Sequence, residues 1–142
     1  MTQKTSLQRF VDAQAANYQE ALAEIKSGRK RTHWMWYVFP QIQGLGLSET
    51  ARFYALTDAQ EAEAFLRHPV LGARLLEISN ALLQLKSNDA HAILGSPDDM
   101  KLKSCMTLFA SFPKNPVFQA VLDKYYAGAP DEKTLRIINR QG

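Results

Sequence analysis

Residues 69–85, PVLGARLLEISNALLQL, place Leu71, Leu75, Ile78, Leu82 and Leu85 at alternating steps of four and three. That rhythm returns side chains to one face of a helix, and Leu76 and Leu83 widen the apolar stripe enough to meet neighbours on more than one side. A helix apolar over so wide a face belongs at the centre of a bundle. Pro69 suits its first position, where a missing N–H costs nothing, and could not sit in its interior.

The segments on either side read as more helices. From Ser6 to Ser27, residues Leu7, Phe10, Val11, Tyr18, Ala21, Leu22 and Ile25 recur at helical steps, and Gly28 supplies the left-handed residue that ends such a run. The apolar rhythm thins from Ala13 to Asn17, which predicts a break near Ala16-Asn17. Ser48 caps a short helix through Tyr54. Thr57 or Asp58 starts another, with Ala62, Phe65 and Leu66 inward, running to about His68. Asn88 is the expected cap of a short helix that Gly95 ends. Ser96-Pro97-Asp98-Asp99 reads as a cap, a proline at the first helical position and a carboxylate able to close a capping box, starting a helix to about Phe112. Pro113 and Pro116 frame a turn before a helix that ends at Gly128, and a last helix starts at Asp131.

The only strand candidate is WMWYVF, residues 34–39, too isolated to make a sheet. The fold class is therefore all-α: a compact single domain over residues 1–142, with about seven to eight helices, several of them short.

Composition narrows the functional classes. A chain of 142 residues with 46% hydrophobic and 22% charged residues is that of a soluble globular domain. No apolar run reaches the ~20 residues of a membrane span, and MTQKTSLQRF lacks a signal peptide's apolar core, so a cytoplasmic protein without a membrane partner is expected. A single cysteine, Cys105, rules out an intramolecular disulfide. The net charge of +3 is too mild to support general nucleic-acid binding.

Chemistry concentrates in Gly28–Ser48, GRKRTHWMWYVFPQIQGLGLS. Cations beyond a helix end are explained by the helix dipole alone. Here, however, Arg29, Lys30 and Arg31 are followed at once by His33, Trp34, Trp36 and Tyr37, and cations beside flat rings are how proteins hold nucleotides: charge on phosphate, ring against base. The rings also fit a core. If the segment were helical, Trp34, Tyr37 and Val38 would share one face and Trp36 and Phe39 another, so one set is expected inside and the other along a cleft. Gln41, held after Pro40, offers a donor and an acceptor. Gly44-Leu45-Gly46 is neither a Walker loop nor a dinucleotide fingerprint.

The helix after Ser96 is the second candidate wall. Its apolar stripe is Leu102, Cys105, Met106, Phe109 and Phe112, leaving Ser104 and Thr107 on another face beside Lys101. Small hydroxyls on such a face mean either close packing by another helix or a ligand surface, and packing is the stronger of the two. His33 and Asp99 are the candidate proton carriers, although Asp99 is most simply part of a cap and no second carboxylate stands at a suitable spacing. The candidate ligand-binding residues are Arg29, Lys30, Trp34, Trp36, Gln41, Lys101, Ser104 and Thr107. The three histidines are scattered and no CxxC or HxxxH occurs, so neither a metal nor another cofactor is expected.

LQRFVDAQ, GRKRTHWMWYVFPQIQGLG with Ser48, HPVLGARL and GSPDDMKLKSCMTLF together resemble a family of small bacterial proteins, domain-of-unknown-function family eighteen-ten, sometimes labelled "calpastatin". The likeness spans nearly the whole chain. It implies an all-helical fold and brings no activity, substrate or catalytic residue. It singles out Gly28, Arg29, Lys30, His33, Trp34 and Trp36, then Pro40, Gln41, Gly44 and Gly46, and on the second segment Asp99, Lys101, Ser104, Met106, Thr107 and Phe109. Position 105 is often serine in that pattern, and cysteine here departs from it. Calpastatins are extended, largely disordered inhibitors, so the label does not transfer to a compact chain.

Three functions follow as expectations. The first is a basic-aromatic cleft for a phosphorylated small molecule, a nucleotide or nucleotide-sugar, with N-glycoside or phosphoribosyl-bond cleavage as its reaction if the protein is an enzyme. The second is a non-enzymatic protein-interaction or regulatory module. The third is single-stranded nucleic-acid binding, which the mild charge disfavours.

Overall fold

A computed structural model describes residues 7–112 and 114–141. Among them the chain is all-α, with nine helices: α1 (Gln8–Lys26), α2 (Met35–Val38), α3 (Glu49–Phe53), α4 (Ala59–Arg67), α5 (Leu71–Gln84), α6 (Ala90–Leu94), α7 (Asp98–Ala110), α8 (Val117–Tyr126) and α9 (Glu132–Gln141). The helix beyond the expected eight is α2, formed by the strand candidate. Ser6 and Pro113, expected at a helix start and in a turn, lie outside the described residues.

The widened stripe of α5 does what its width implies: Leu71, Leu75, Ile78 and Leu82 are buried, and the helix packs on α1, α4 and α8. Its C-terminal carbonyls are satisfied by α8, whose Tyr125 hydroxyl donates to Leu82 O at 2.6 Å and whose Lys124 ammonium donates to Leu85 O at 2.7 Å. Pro69 precedes the helix instead of opening it. His68 Nδ1 accepts from the N–H groups of Val70 and Leu71, at 3.1 and 3.2 Å, and so serves the orphan donors there.

The centre is shared with α7, which packs on α4, α6, α8 and α9 and buries Leu102 and the run from Ser104 to Phe109. Phe109 lies within 5.7 Å of Phe65 and 5.6 Å of Phe118, ring centre to ring centre. Such clusters bury large apolar area in fixed geometry.

α1 runs unbroken through Ala16-Asn17. Polar residues thin the apolar rhythm there because that turn receives α2: Gln14 Nε2 donates to Tyr37 O at 2.6 Å and Asn17 Nδ2 to the Tyr37 hydroxyl at 2.5 Å. Arg9, although charged, is also buried. Its guanidinium donates to Phe53 O at 2.8 Å and Ala55 O at 2.9 Å and pairs with Glu61 at 3.2 Å, joining α1 to the end of α3, the residues after it and α4.

The expected cap Ser48 is present and Asp58 is the choice between the two starts offered for α4, accepting from Ala51 and Glu61 N–H groups respectively; Asp131, expected only as the start of the last helix, accepts from Thr134 N–H. Asp89 replaces Asn88 as the cap of α6, accepting from Ala92 N at 3.1 Å. At α7 Pro97 stands before the helix, without a side-chain cap, and no capping box forms, because Pro97 has no side-chain acceptor and the Asp99 carboxylate turns to Met100 N–H and His91 instead.

Gly72 lies where α5 crosses the end of α4. A Cβ there would stand 2.0 Å from the Leu66 carbonyl oxygen, a backbone atom that cannot rotate away. Gly72→Ala is therefore expected to destabilise the protein by about 1–3 kcal/mol, despite alanine's better helix propensity, and urea denaturation measures it.

Candidate functional site

The end of α1 sets the path of the segment after it. Gly28, at φ +86°, donates its N–H to Ile25 O at 2.8 Å, and Arg29 N–H reaches Glu24 O at 3.1 Å, the paired bonds of a left-handed helix stop. The Glu24 carboxylate, itself buried, then gathers the chain that follows. Oε1 accepts from the N–H groups of Arg31 and Thr32 at 2.7 and 3.1 Å and from Trp34 Nε1 at 2.9 Å, while Oε2 accepts from the Thr32 hydroxyl at 2.7 Å. Burial opposes its ionisation, but the bonds from Arg31, Thr32 and Trp34 outweigh that and hold its pKa down at about 2.

Trp34 is consequently an interior residue, 1% exposed. The expectation that it stacks on a ligand is corrected; of the two sets of side chains, Trp34, Tyr37 and Val38 are inside and Trp36 borders a recess, while Phe39, expected with Trp36, is buried. Met35, Tyr37, Val38 and Phe39 are buried with it, and Trp36 is the half-buried member of the run.

Lys30 is drawn across the molecule. Its N–H donates to Ile93 O of α6 at 2.7 Å, its ammonium lies 2.9 Å from Asp98 Oδ2, and that ammonium stands 5.2 Å from the centre of the Trp34 ring. Asp98 Oδ1 also meets the Lys101 ammonium at 3.4 Å, and Lys101 in turn lies 4.9 Å from the Trp36 ring centre. One carboxylate thus sits between two lysines, each against an indole.

These groups border a recess of about 400 Å³. Lys30, Arg31 and His33 line it from the loop, Met35 and Trp36 from α2; the opposite wall is Leu94 with Ser96, Pro97, Asp98 and Lys101. A second recess of about 230 Å³ shares Pro97 and Lys101 and is bordered by Gln41, Ser104, Asp131 and Lys133. A larger recess of about 450 Å³ lies between α5 and α8, but neither a charged nor an aromatic side chain lines it.

Of the expected ligand-binding residues, Lys30, Trp36 and Lys101 come together with His33 at the first recess, and Gln41 and Ser104 border the second. Arg29 is exposed outside both, and Arg31 takes its place. Thr107 is buried: its hydroxyl donates to Lys103 O and accepts from Asp131 N–H, both at 2.8 Å. The Ser104 hydroxyl lies 3.2 Å from Asp131 Oδ2. Small hydroxyls on this face let the start of α9 approach closely, which is the packing alternative. Asp99 is turned away from the recess. Its Oδ2 lies 3.6 Å from His91 Nδ1 and its Oδ1 accepts from Met100 N–H at 2.9 Å.

Arg31, read as one of a cation cluster, and Asp98, read as part of a helix start, are not among the site residues expected from the sequence. Asp98 had a usable signal, because an Asp three residues before Lys101 on a helix shares its face. For Arg31 no such signal exists, since adjacent loop cations are distinguished only by the turn at Gly28 and the hold of Glu24. Among the described residues no group of three or more His, Cys, Asp and Glu is placed to hold a metal ion, and no helix is long and apolar enough to cross a membrane. Cys105 is fully buried, which pushes its thiol pKa well up and leaves it un-ionised.

Residues 4–138 match the family model described as "Protein of unknown function (DUF1810)". The fold is similar to the crystal structure of the conserved hypothetical protein Rv1873 from Mycobacterium tuberculosis: 45% identity, TM-score 0.93, covering 95% of this chain and 97% of that one. No curated protein matches.

Two outcomes test the geometry. The Glu24 pKa lies below its ordinary value of 4.5, so the stability it contributes is present above that pH and is lost as pH falls toward about 2. Glu24→Gln is expected to cost about 2–3 kcal/mol near neutral pH, with the gap to wild type narrowing over that acidic window in urea melts. Trp34→Ala is expected to cost about 3–5 kcal/mol and Trp36→Ala far less, by the same measurement.

Proposed function

The chain belongs to the DUF1810 family of proteins of unknown function, and we propose that it binds a phosphorylated small molecule of the nucleotide class in the recess between the α1–α2 loop and the start of α7. The observation that carries this reading is the convergence of Lys30, Arg31 and Lys101 from two distant segments on one recess that also contains the accessible Trp36 ring.

The chemistry fits an anion joined to a flat group. Three cations face one carboxylate, so the recess keeps excess positive charge even with Asp98 in place. Arg31 and His33 make no side-chain bond among the described residues and are free to meet a ligand. The Trp36 face offers the stacking partner that Trp34 does not. His33 and Asp98 are the groups able to move a proton there, in place of the pair His33 and Asp99, and hydrolysis of a bound nucleotide at those two groups is the reaction this arrangement supports.

A second reading, a protein-interaction module, has its own observation. Met100 at the second recess is 51% exposed and Leu47, next to Gly46 of that recess, is 78% exposed. Apolar side chains in the open beside cations suit a docking surface.

Isothermal titration with AMP, UMP and inorganic phosphate separates these. Binding of a mononucleotide tighter than phosphate, weakening with added salt and reduced at least tenfold by Lys101→Ala and by Trp36→Ala, is expected. No heat with any of the three, or identical binding by wild type and Lys101→Ala, overturns the nucleotide reading.

A further inference from the structure

We infer that the ligand is a nucleoside diphosphate carrying a second, hydroxyl-rich arm, rather than a mononucleotide; this rests on the reading above and narrows it. The starting point is that Lys101 and Pro97 line both recesses. Lys101 is therefore at a junction between two recesses. An anion neutralising its ammonium has space on either side, and a ligand that ends at the phosphate would leave the smaller recess empty.

The two sides differ in chemistry. Toward Trp36 the indole, with Met35 and Leu94 beside it, gives a planar base a surface to stack on among the cations. Toward Gln41, apolar Leu45, Pro97 and Met100 alternate with Gln41, Ser104, Asp131 and Lys133, a mixed wall that suits a sugar's C–H faces and hydroxyls together. The half-buried Gln41 carboxamide makes no hydrogen bond among the described residues, and Lys133 makes no ion pair among them. A carboxamide presents both a donor and an acceptor, which is what a sugar hydroxyl requires.

The cations are distributed in the same way. Lys30 and Arg31 lie on one side, Lys133 on the other and Lys101 between, and that spread matches two linked phosphoryl groups better than one. ADP-ribose and UDP-glucose have this order of parts: base, diphosphate, sugar. The Gln41 backbone carbonyl accepts from Leu56 N–H at 2.9 Å whatever its side chain, so the side chain can be removed without loosening that contact.

The test is titration calorimetry at one salt concentration with ADP-ribose against AMP and UDP-glucose against UMP. At least one diphosphate is expected to bind tenfold or more tightly than its mononucleotide. Gln41→Ala and Lys133→Ala are expected to abolish that advantage while leaving the mononucleotide affinity within twofold, with unchanged melting temperatures. Equal binding of the members of each pair overturns the inference and leaves the nucleotide reading standing, as does equal weakening of both by Gln41→Ala. If wild type binds none of the four, the underlying reading fails and this inference with it. Should Gln41→Ala lower the melting temperature, Gln41→Glu, which keeps the shape and sets a negative charge toward the diphosphate, replaces it with the same expected outcome.

Discussion

The buried carboxylate of Glu24 is the constraint on which the candidate site depends. A charge removed from water must be compensated by donors, and here they come from the segment directly after its own helix: two backbone N–H groups, a hydroxyl and an indole N–H. Satisfying the carboxylate therefore fixes the course of residues 31–34. Trp34 is carried inward, and the same path brings Lys30 within reach of Ile93 O and Asp98. The cationic loop is thus part of the core's construction and also one border of the recess.

Asp98 performs the complementary role on α7. By standing between Lys30 and Lys101 it lets two ammoniums approach one another without leaving either unpaired. The Lys30 side chain is only 7% exposed, so its partner is needed to offset desolvation. The same pairing joins the loop to α7 and keeps Lys101 at the edge shared by the two recesses. Farther along α7, Ser104 and Thr107 meet Asp131 at the start of α9, and that contact closes the far side of the smaller recess.

Periodicity was a reliable guide where burial followed from apolarity. The stripe of α5, the stop at Gly28, the cap at Ser48 and the helix starts near Asp58 and Asp131 could all be read because each depends on residues within a turn or two of one another. The misreadings share a cause as well. Ala16-Asn17 resembled a break because Gln14 and Asn17 are polar for the sake of Tyr37, twenty-odd residues away. The run 34–39 resembled a strand, or a helix with two distinct faces, because short apolar segments carry no period long enough to decide. Asp99 and Thr107 were placed at the site by spacing alone, and their partners His91 and Asp131 belong to other elements.

The amino-acid sequence by itself determined the all-helical class, most of the helix limits and the concentration of cations and rings in residues 28–48, because these follow from local propensity, capping and pattern. Only the tertiary structure decided which ring is accessible, which two of three adjacent cations line the recess and which of two adjacent aspartates faces it. Those choices turn on the bonds that Glu24 makes to the loop after α1 and on the long-range bonds of Lys30 to Ile93 and Asp98. A one-dimensional pattern records what a residue is, while its partner across the fold sets the direction in which it points.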